Sequence, residues 1–412
     1  MYMTKYISKL FRVQALLLPL LLYACVNYDD VTDSLTVQIQ LVAPEAFNTS
    51  EGLDGRDVNL TINGQTTTVK TDANGLATFK GIVPDVYNIS ASWKITGAEY
   101  TALTGIVIAE NRRCTVSGSL AGQMLQEGQN RLTLPLHVNI DPDVIISKIA
   151  SAGCKDENNR TYMAGKYLEL YNNADEAIDV AGLYIGLLDS DNPQPYTLEN
   201  LQEVYNGEYV LIKQIFRIPA SKPFLVQPGG TVLLTNSAID HRDVSPLESD
   251  LRDADFEAKD VSGSYQNNPA VPALENAFSR TSGSSIMNLV QGGPCGVVLF
   301  RTDEDVTTFP RTYAYGKTSG NQWLLLPVRL IIDGVDYLKK WNDGVRIGTK
   351  RLPTIIDASY ANINATAGWT GEVVYRRTEG HAADGHALLM DTNNSLNDFT
   401  VSTTIKPREY DN

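Results

Sequence analysis

Apolar and polar residues alternate along much of the chain after residue 34, a pattern that is typical of half-buried β-strands. Residues 35–42 (LTVQIQLV) alternate over eight positions, and residues 58–62 and 66–70 form a further pair of such segments. Between that pair stands Asn63-Gly64, which supplies the residues that a tight hairpin needs at positive φ. These segments predict a first β-sandwich over residues 35–140, and Asp141-Pro142-Asp143 ends the alternation.

The second half, residues 143–412, shows the same alternation and predicts a second β-sandwich. In residues 166–173 (KYLELYNN), Leu168 and Leu170 share the face that we expect to point inward, and Glu169 lies on the opposite face with two tyrosines. The sandwich does not need residues 238–292, which we interpret as a loop-rich insertion. A capping-box sequence with proline at the first helical position begins at Ser245 and predicts a short helix to about Lys259. The predicted fold class is therefore all-β, with two sandwiches in tandem.

The N-terminus combines a basic start with a short apolar run. Lys5, Lys9 and Arg12 precede the apolar residues 15–22, which are typical of a secretory signal and too few for a stable membrane span. The run ends at Ala24-Cys25, and residues 22–25 (LYAC) resemble the bacterial lipoprotein signal. That resemblance implies cleavage after Ala24, lipidation of Cys25 and a leader over residues 1–24. The alternative is an ordinary secretory signal with a chance cysteine.

Acidic residues follow this cysteine closely, within residues 25–34. Asp29, Asp30 and Asp33 resemble the acidic export signal of some Gram-negative surface lipoproteins, which implies an outer-membrane protein that faces the cell exterior. A simple solvated tether is the alternative interpretation.

The charge of the chain limits its partners. The sequence has 48 acidic and 34 basic residues; residues 1–24 hold three bases and no acid, so 31 bases and a net charge of −17 remain after Cys25. A surface this acidic repels nucleic acid and anionic lipid head groups. Attachment to the bilayer must therefore come from acyl chains on Cys25.

Two further resemblances concern the sandwiches. Residues 71–79 (TDANGLATF) and 81–89 resemble the prealbumin-like, carboxypeptidase-regulatory modules, which implies a rigid spacer whose core contains Phe79 and Tyr87. In the second half, the segments KYLELYNN and IDVAGL and a Pro-Gly turn at Pro228-Gly229 resemble the lamin-tail domain, an immunoglobulin-like sandwich. The whole arrangement resembles a family of surface lipoproteins of uncharacterised function.

Few residues qualify as candidate sites. Asp391, Asn393, Ser395 and Asn397 alternate like the oxygen ligands of a calcium loop, but the glycine and glutamate of such a loop are missing, and Asx turns before a strand also produce this pattern. Trp369 follows a glycine in a loop and is a candidate platform for stacking a ligand. Cys154 and Cys295 could form a disulfide, and the alternative is that they and Cys114 are separate buried thiols.

The sequence contains neither a Gly-x-Ser-x-Gly nor a His-Glu-x-x-His motif, and its cysteines lack zinc-site spacing. We therefore expect a non-catalytic surface lipoprotein without a cofactor that binds or scaffolds a partner, and the resemblance suggests an accessory to an outer-membrane uptake receptor. The alternative function is a carbohydrate-active or metal-dependent hydrolase whose site lies in the insertion, since long loops on a rigid frame often carry function.

Overall fold

The computed structural model describes residues 34–49, 52–110, 112–291, 293–342, 344–364 and 368–410. The predicted lipoprotein signal, with Ala24 and Cys25, lies outside these residues. Each helix in the described ranges is too short or too polar to cross a membrane. Strands dominate the described chain, so the predicted all-β fold class is confirmed.

The first sandwich consists of eight strands and one helix. In chain order these are β1 (Leu35–Val42), β2 (Asp57–Ile62), β3 (Gln65–Lys70), β4 (Leu76–Ile82), β5 (Asp85–Thr96), α1 (Gly97–Thr104), β6 (Arg113–Leu125), β7 (Arg131–Pro135) and β8 (His137–Ile140). One sheet has the order β4-β1-β7 and the other β3-β2-β5-β6-β8. All neighbours are antiparallel except β1 and β7, which are parallel.

Local sequence explains the shape of this sandwich. The β2–β3 hairpin turns at Asn63 and Gly64, which have φ values of 50° and 78°, as predicted. Asp72 closes an Asx turn by accepting a hydrogen bond from the main-chain nitrogen of Asn74 at 2.9 Å. Phe79 and Tyr87 are buried in the core between the sheets, which confirms their predicted place. Burying each aromatic ring contributes roughly 1.5–3 kcal/mol to folding.

The second sandwich contains the remaining strands and two α-helices. In chain order these are β9 (Val144–Ala150), β10 (Cys154–Lys155), β11 (Thr161–Tyr162), β12 (Tyr167–Asn172), β13 (Ile178–Asp179), β14 (Tyr184–Leu188), α2 (Leu198–Tyr205), β15 (Tyr209–Arg217), β16 (Leu225–Val226), β17 (Thr231–Thr235), β18 (Phe256–Glu257), β19 (Glu275–Ser279), β20 (Cys295–Phe300), β21 (Arg311–Thr312), β22 (Trp323–Pro327), β23 (Ile331–Trp341), β24 (Gly344–Val345), β25 (Ala361–Ile363), β26 (Val373–Arg376), β27 (Thr378–His381), β28 (Ala387–Leu389), α3 (Ser395–Asp398) and β29 (Phe399–Ser402). Short 3-10 helices occupy Val306–Thr308, Val328–Leu330 and Ile347–Thr349.

Two large sheets enclose the core of this second sandwich. One has the order β18-β17-β12-β9-β26-β29; the other has the order β21-β22-β15-β14-β20-β23-β24, with β19 paired to β15 and β25 to β23. Three two-stranded ladders, β10-β11, β13-β16 and β27-β28, complete the pairing of the described strands. Leu168 and Leu170 point into the core between the large sheets, as expected, together with residues of β9, β14 and β20.

The expectation that the sandwich does not need residues 238–292 is wrong, because β18 and β19 pair with strands of the two large sheets and Phe256, Leu274 and Met287 enter the core between them. Part of the insertion covers the outer face of the six-stranded sheet. There Leu251 and Ala254 pack with Tyr167 and Leu233 in a separate apolar cluster. The predicted helix from Ser245 to about Lys259 is wrong, because residues 245–255 form turns and the only regular element up to Lys259 is β18. Its main-chain groups bond to a distant segment instead: Leu251 donates to the carbonyl of Ile239 at 3.0 Å. Tertiary pairing thus overrides the local helix signal.

Candidate functional site

The two sandwiches are joined by a buried polar junction. Lys94 of β5 places its ammonium 2.7 Å from the Asp141 carboxylate, 2.8 Å from the Thr115 hydroxyl and 2.8 Å from the main-chain carbonyl oxygen of Asp391. Arg113 of β6 donates to the carbonyl oxygen of Asn173. Side chains of the first sandwich thereby fix main-chain groups of the second, and the relative position of the two is set by directional bonds.

Next to this junction an open cleft of about 940 Å³ lies between the sandwiches. The first sandwich contributes β2, β3, β5, and Gly122 of β6; the second contributes the β23–β24 turn, β25, α3 and β29. Behind it the walls close on a cavity of about 10 Å³, lined on one side by small residues of β5 and β6, among them Ala91 and Gly118. The small side chains allow the two sandwiches to approach closely at that point.

The cleft is lined mainly by uncharged polar side chains. Its amides are Asn59, Asn63, Asn88, Asn362, Asn364 and Asn397, and its hydroxyls are Thr61, Thr66, Ser92, Tyr360, Thr392, Ser395 and Thr400. Asp85 is its single acid, and Lys340 and Arg377 are its two bases. In a chain with 48 acids and a net charge of −14, this surface is nearly neutral, with two bases against one acid.

One amide in the cleft has spare hydrogen-bonding capacity. The buried side-chain oxygen of Asn362, on β25, accepts no hydrogen bond. Most buried polar atoms in proteins have a partner, so such an atom requires an explanation. Because the oxygen and nitrogen of an amide exchange places by a half-turn of the side chain, Asn362 can present either group to a molecule in the cleft.

Of the four residues predicted to bind calcium, Ser395 and Asn397 line this cleft, and the four side chains do not converge on one point. The Asp391 carboxylate pairs with Arg376 at 3.2 Å, and Asn393 has a φ of 54° and accepts a bond from Ala358 through its main-chain carbonyl. Ser395 donates its main-chain nitrogen to Asp357 at 2.9 Å, and the carbonyl of Asn397 accepts from Arg377. No set of three acidic, histidine or cysteine side chains suited to a metal occurs in the described ranges. These contacts match the turn interpretation.

Below α3, a buried arginine holds three carboxylates. Arg376 contacts Asp333 at 2.9 Å, Asp391 at 3.2 Å and Asp398 at 3.5 Å. Burial is the main cause that raises the pKa of Asp333 to about 6 and that of Asp398 to about 7, and the Arg376 charge only partly opposes it. The cluster connects β23, β26 and α3, and therefore supports the cleft wall of the second sandwich.

The insertion also brings several reactive residue types together. His241 is fully buried, with its Nδ1 2.7 Å from the Tyr162 hydroxyl and its Nε2 2.8 Å from the Ser237 carbonyl. Nε2 must donate to that carbonyl, so Nδ1 accepts from the tyrosine and both ring nitrogens are occupied. Burial raises the pKa of Glu248, and burial together with a bond to Glu248 raises the pKa of Cys154 to about 12. Such a thiol is a poor nucleophile at neutral pH.

The other predicted residues lie apart from the cleft. Trp369 is half-buried with a φ of 61°, and its ring packs against Gly153, where an added Cβ would come within 3.2 Å of it. Of the two alternatives for the cysteines, the structure has the separate thiols, because Cys114, Cys154 and Cys295 are free and buried.

Of the asparagines that line the cleft, only Asn397 was a candidate site residue in the sequence, and there it was considered as a calcium ligand. Asn59 and Asn397, which the fold brings to one cleft, are separated by more than 300 positions in the chain. Each one alone is an ordinary turn or strand residue.

Comparisons with known proteins agree with this fold. Residues 227–406 match the model of DUF4876, described as a protein of unknown function, so the chain carries a DUF4876 family domain there. The crystal structure of a DUF4876 family protein from Bacteroides thetaiotaomicron VPI-5482 has a TM-score of 0.55 and 19% identity, and the match covers 89% of this chain and 94% of that one. At this identity the likeness shows the fold alone.

Two crystal structures of BcpA, the major pilin subunit of Bacillus cereus, have 12% and 13% identity over 74% of this chain and 95% and 94% of theirs. Their TM-score of 0.15 is too low to carry an argument. No curated protein sequence matches this chain.

Proposed function

We propose that this protein is a non-catalytic lipoprotein of the outer-membrane surface that binds a partner or ligand, as an accessory to an uptake receptor. In this proposal, acyl chains on Cys25 hold the protein, the prealbumin-like first sandwich is a spacer, and the second sandwich is lamin-tail-like. The observation that carries the proposal is the nearly neutral polar cleft between the sandwiches, with a volume of about 940 Å³. Pockets that bind small ligands typically measure about 300–1,000 Å³.

The junction supports a binding role because it makes the cleft rigid. Lys94 bonds at once to Asp141 within its own half and to the carbonyl of Asp391 across the junction. A site that is already formed loses little conformational entropy when it binds, which favours affinity. A spacer without a binding role would not require such a precise attachment between its two halves.

The hydrolase alternative receives less support. Its site was expected in residues 238–292, where Cys154, His241 and Glu248 meet. Both nitrogens of His241 are engaged and the pKa of the Cys154 thiol is raised to about 12. His241 is also fully buried, so its ring has no access to a substrate from solvent, and a nucleophile needs to be ionised or activated.

Localisation is tested with the full chain in cells of its native type. A Cys25→Ser variant should move from the membrane fraction to the soluble fraction, since an acidic surface gives no other attraction to the bilayer. Protease added to intact cells should digest the wild-type protein. A variant that stays in the membrane fraction contradicts lipid anchoring, and full protection from protease contradicts exposure at the cell surface.

A further inference from the structure

We infer that the cleft between the two sandwiches binds a neutral, polyhydroxylated ligand, of the chemical class of an uncharged oligosaccharide. This inference rests on the proposed binding function and adds the ligand class and the site. Three properties of the cleft support it: its low charge, its hydrogen-bonding groups and its partly apolar floor.

The low charge argues against ionic ligands. An anion such as a phosphate is normally held by several arginines or lysines, and the cleft has only Lys340 and Arg377. A cation would need more than the single carboxylate of Asp85. A ligand that matches this surface must carry little charge itself, because burying an uncompensated charge is unfavourable.

The hydrogen-bonding groups match hydroxyls. Each amide offers both donors and acceptors, and each hydroxyl group of a sugar also donates and accepts. Asparagines stand on both walls: Asn59 and Asn88 belong to the first sandwich, and Asn362 and Asn397 belong to the second. The side-chain oxygen of Asn362 is buried without a partner among the described residues, and a half-turn of the amide would direct this oxygen to a ligand hydroxyl in the cleft. A ligand that spans the cleft would thus bond to both sandwiches.

Apolar groups between these amides complete the site. Phe399, Leu396 and Val401 line the second-sandwich side, and Ile62 lines the first-sandwich side. Sugars have apolar faces formed by their C–H groups, and such faces pack against aliphatic and aromatic carbon. A volume of about 940 Å³ is at the upper end of the usual range for small-ligand pockets, so we expect a ligand of several sugar units.

The test uses the full lipidated protein in a zwitterionic detergent, since maltoside detergents are themselves glycosides. The probes are a panel of neutral oligosaccharides, including maltohexaose, cellohexaose, mannohexaose, xylohexaose and chitohexaose, with oligogalacturonate and a chondroitin sulfate hexasaccharide as charged comparators. Isothermal titration calorimetry measures binding. We expect at least one neutral probe to bind, with an affinity that changes less than about twofold between about 50 and 500 mM salt, because screening affects only charged contacts.

Two variants locate the site. Asn362→Ala and Asn59→Ala should each weaken binding at least about fivefold, the factor that one neutral hydrogen bond contributes. Asn59 is a useful second site because its side-chain oxygen accepts a hydrogen bond from the exposed hydroxyl of Thr68, so its loss should disturb the fold little. The matched control is Asn276→Ala, which removes an exposed amide of β19 outside the cleft and should leave binding unchanged. Melting temperatures should remain close to that of the wild type.

Several results would overturn the inference. Absence of binding to every neutral probe, a strong salt dependence, preference for the charged comparators, or equal loss in Asn276→Ala each contradicts it. Different results would contradict the proposed function. Release of new reducing ends from a probe would show that the protein is catalytic, and protection from protease on intact cells would show that it is not exposed at the surface. A protein that is exposed at the surface and binds none of the neutral probes therefore refutes the ligand class alone.

Discussion

The ammonium group of Lys94, in the first sandwich, lies 2.8 Å from the main-chain carbonyl oxygen of Asp391, in the second. The same nitrogen contacts the Asp141 carboxylate at 2.7 Å, just where the chain passes from one sandwich to the other. One charged group thus connects the linker, the first sandwich and the second. Since Asp391 also pairs with Arg376 beneath α3, the bond links the junction to the wall of the cleft.

Replacing Lys94 by methionine should loosen this junction. The change leaves the Asp141 carboxylate, which is 8% exposed, with the Thr115 hydroxyl but without a cation. Breaking one member of a largely buried pair is destabilising, and because the Lys94 side chain is 27% exposed we expect a loss of about 1–3 kcal/mol in the free energy of unfolding. Urea denaturation measures this loss of stability. Ligand affinity should also fall if the cleft loses its shape.

The control is Lys70→Met, which removes an ion pair with Asp57 whose side chains are 68% and 53% exposed. Exposed pairs contribute little, so this change should alter stability by less than about 1 kcal/mol. Equal effects of the two variants would contradict the assigned role of Lys94.

A second ion pair, between Lys148 and Glu169, is fully buried under the C-terminal segment. Their atoms are 2.7 Å apart with no solvent exposure, and Lys148 also lies 3.8 Å from the ring centre of Tyr410. Lys148→Met should destabilise the protein by about 3–5 kcal/mol, because it leaves Glu169 as an uncompensated buried charge. Urea denaturation again provides the measurement.

The double variant Lys148→Met with Glu169→Gln provides the control. Glutamine keeps an acceptor for the main-chain nitrogen of Arg408, which donates to Glu169 at 2.6 Å, and carries no charge. We expect it to recover at least about 1 kcal/mol of the loss. If the double variant is less stable than Lys148→Met alone, the uncompensated charge is not the cause.

Stability should rise as the pH falls from about 7.5 towards 5. The pKa of Asp398 is raised to about 7 and that of Asp333 to about 6, mainly by burial, and burial likewise raises the pKa of Asp189 to about 6. In the unfolded chain these carboxyls titrate near pH 4, so between about pH 4 and 7 the folded state binds more protons. Their contribution is present at low pH and is lost as the pH rises through 6 to 7.

Melting temperatures at several pH values check this dependence. Asp398→Asn mimics the protonated side chain, and its melting temperature should therefore vary less between pH 5 and 7.5 than that of the wild type. A wild-type stability that instead rises steadily from pH 5 to 7.5 contradicts the raised pKa values.

Local features of the fold could be predicted from the sequence, because they depend on neighbouring residues. The turn at Asn63-Gly64 requires positive φ at both positions, and the alternation around Leu168 and Leu170 identifies their inward face. What covers the opposite face was not predictable. Glu169 alternates like a solvent-facing residue, yet it is buried under the C-terminal segment.

Features that depend on contacts between residues far apart in the chain were not predicted, because no local sequence pattern encodes them. The segment after Ser245 has a helix-start sequence, but the main-chain pairing of Leu251 with Ile239 determines its structure. The cleft likewise requires two domains to meet, and no local pattern connects Asn59 with Asn362. Only the folded chain brings such residues together.

The three cysteines provide the last prediction, which concerns their chemistry. Cys114, Cys154 and Cys295 are buried and free, and burial is the main cause that raises the pKa of Cys114 to about 11 and that of Cys154 to about 12. Only the thiolate reacts with Ellman's reagent, so thiols that are both shielded and protonated should be inert at about pH 8. In a Cys25→Ser variant, which removes one of the four cysteines of the chain, we expect no fast labelling of the folded protein and three equivalents after unfolding in guanidinium. A single equivalent after unfolding would instead indicate that two of the three cysteines are paired, as Cys154 and Cys295 would be in the disulfide alternative, and rapid labelling of the folded protein would show that a thiol is accessible.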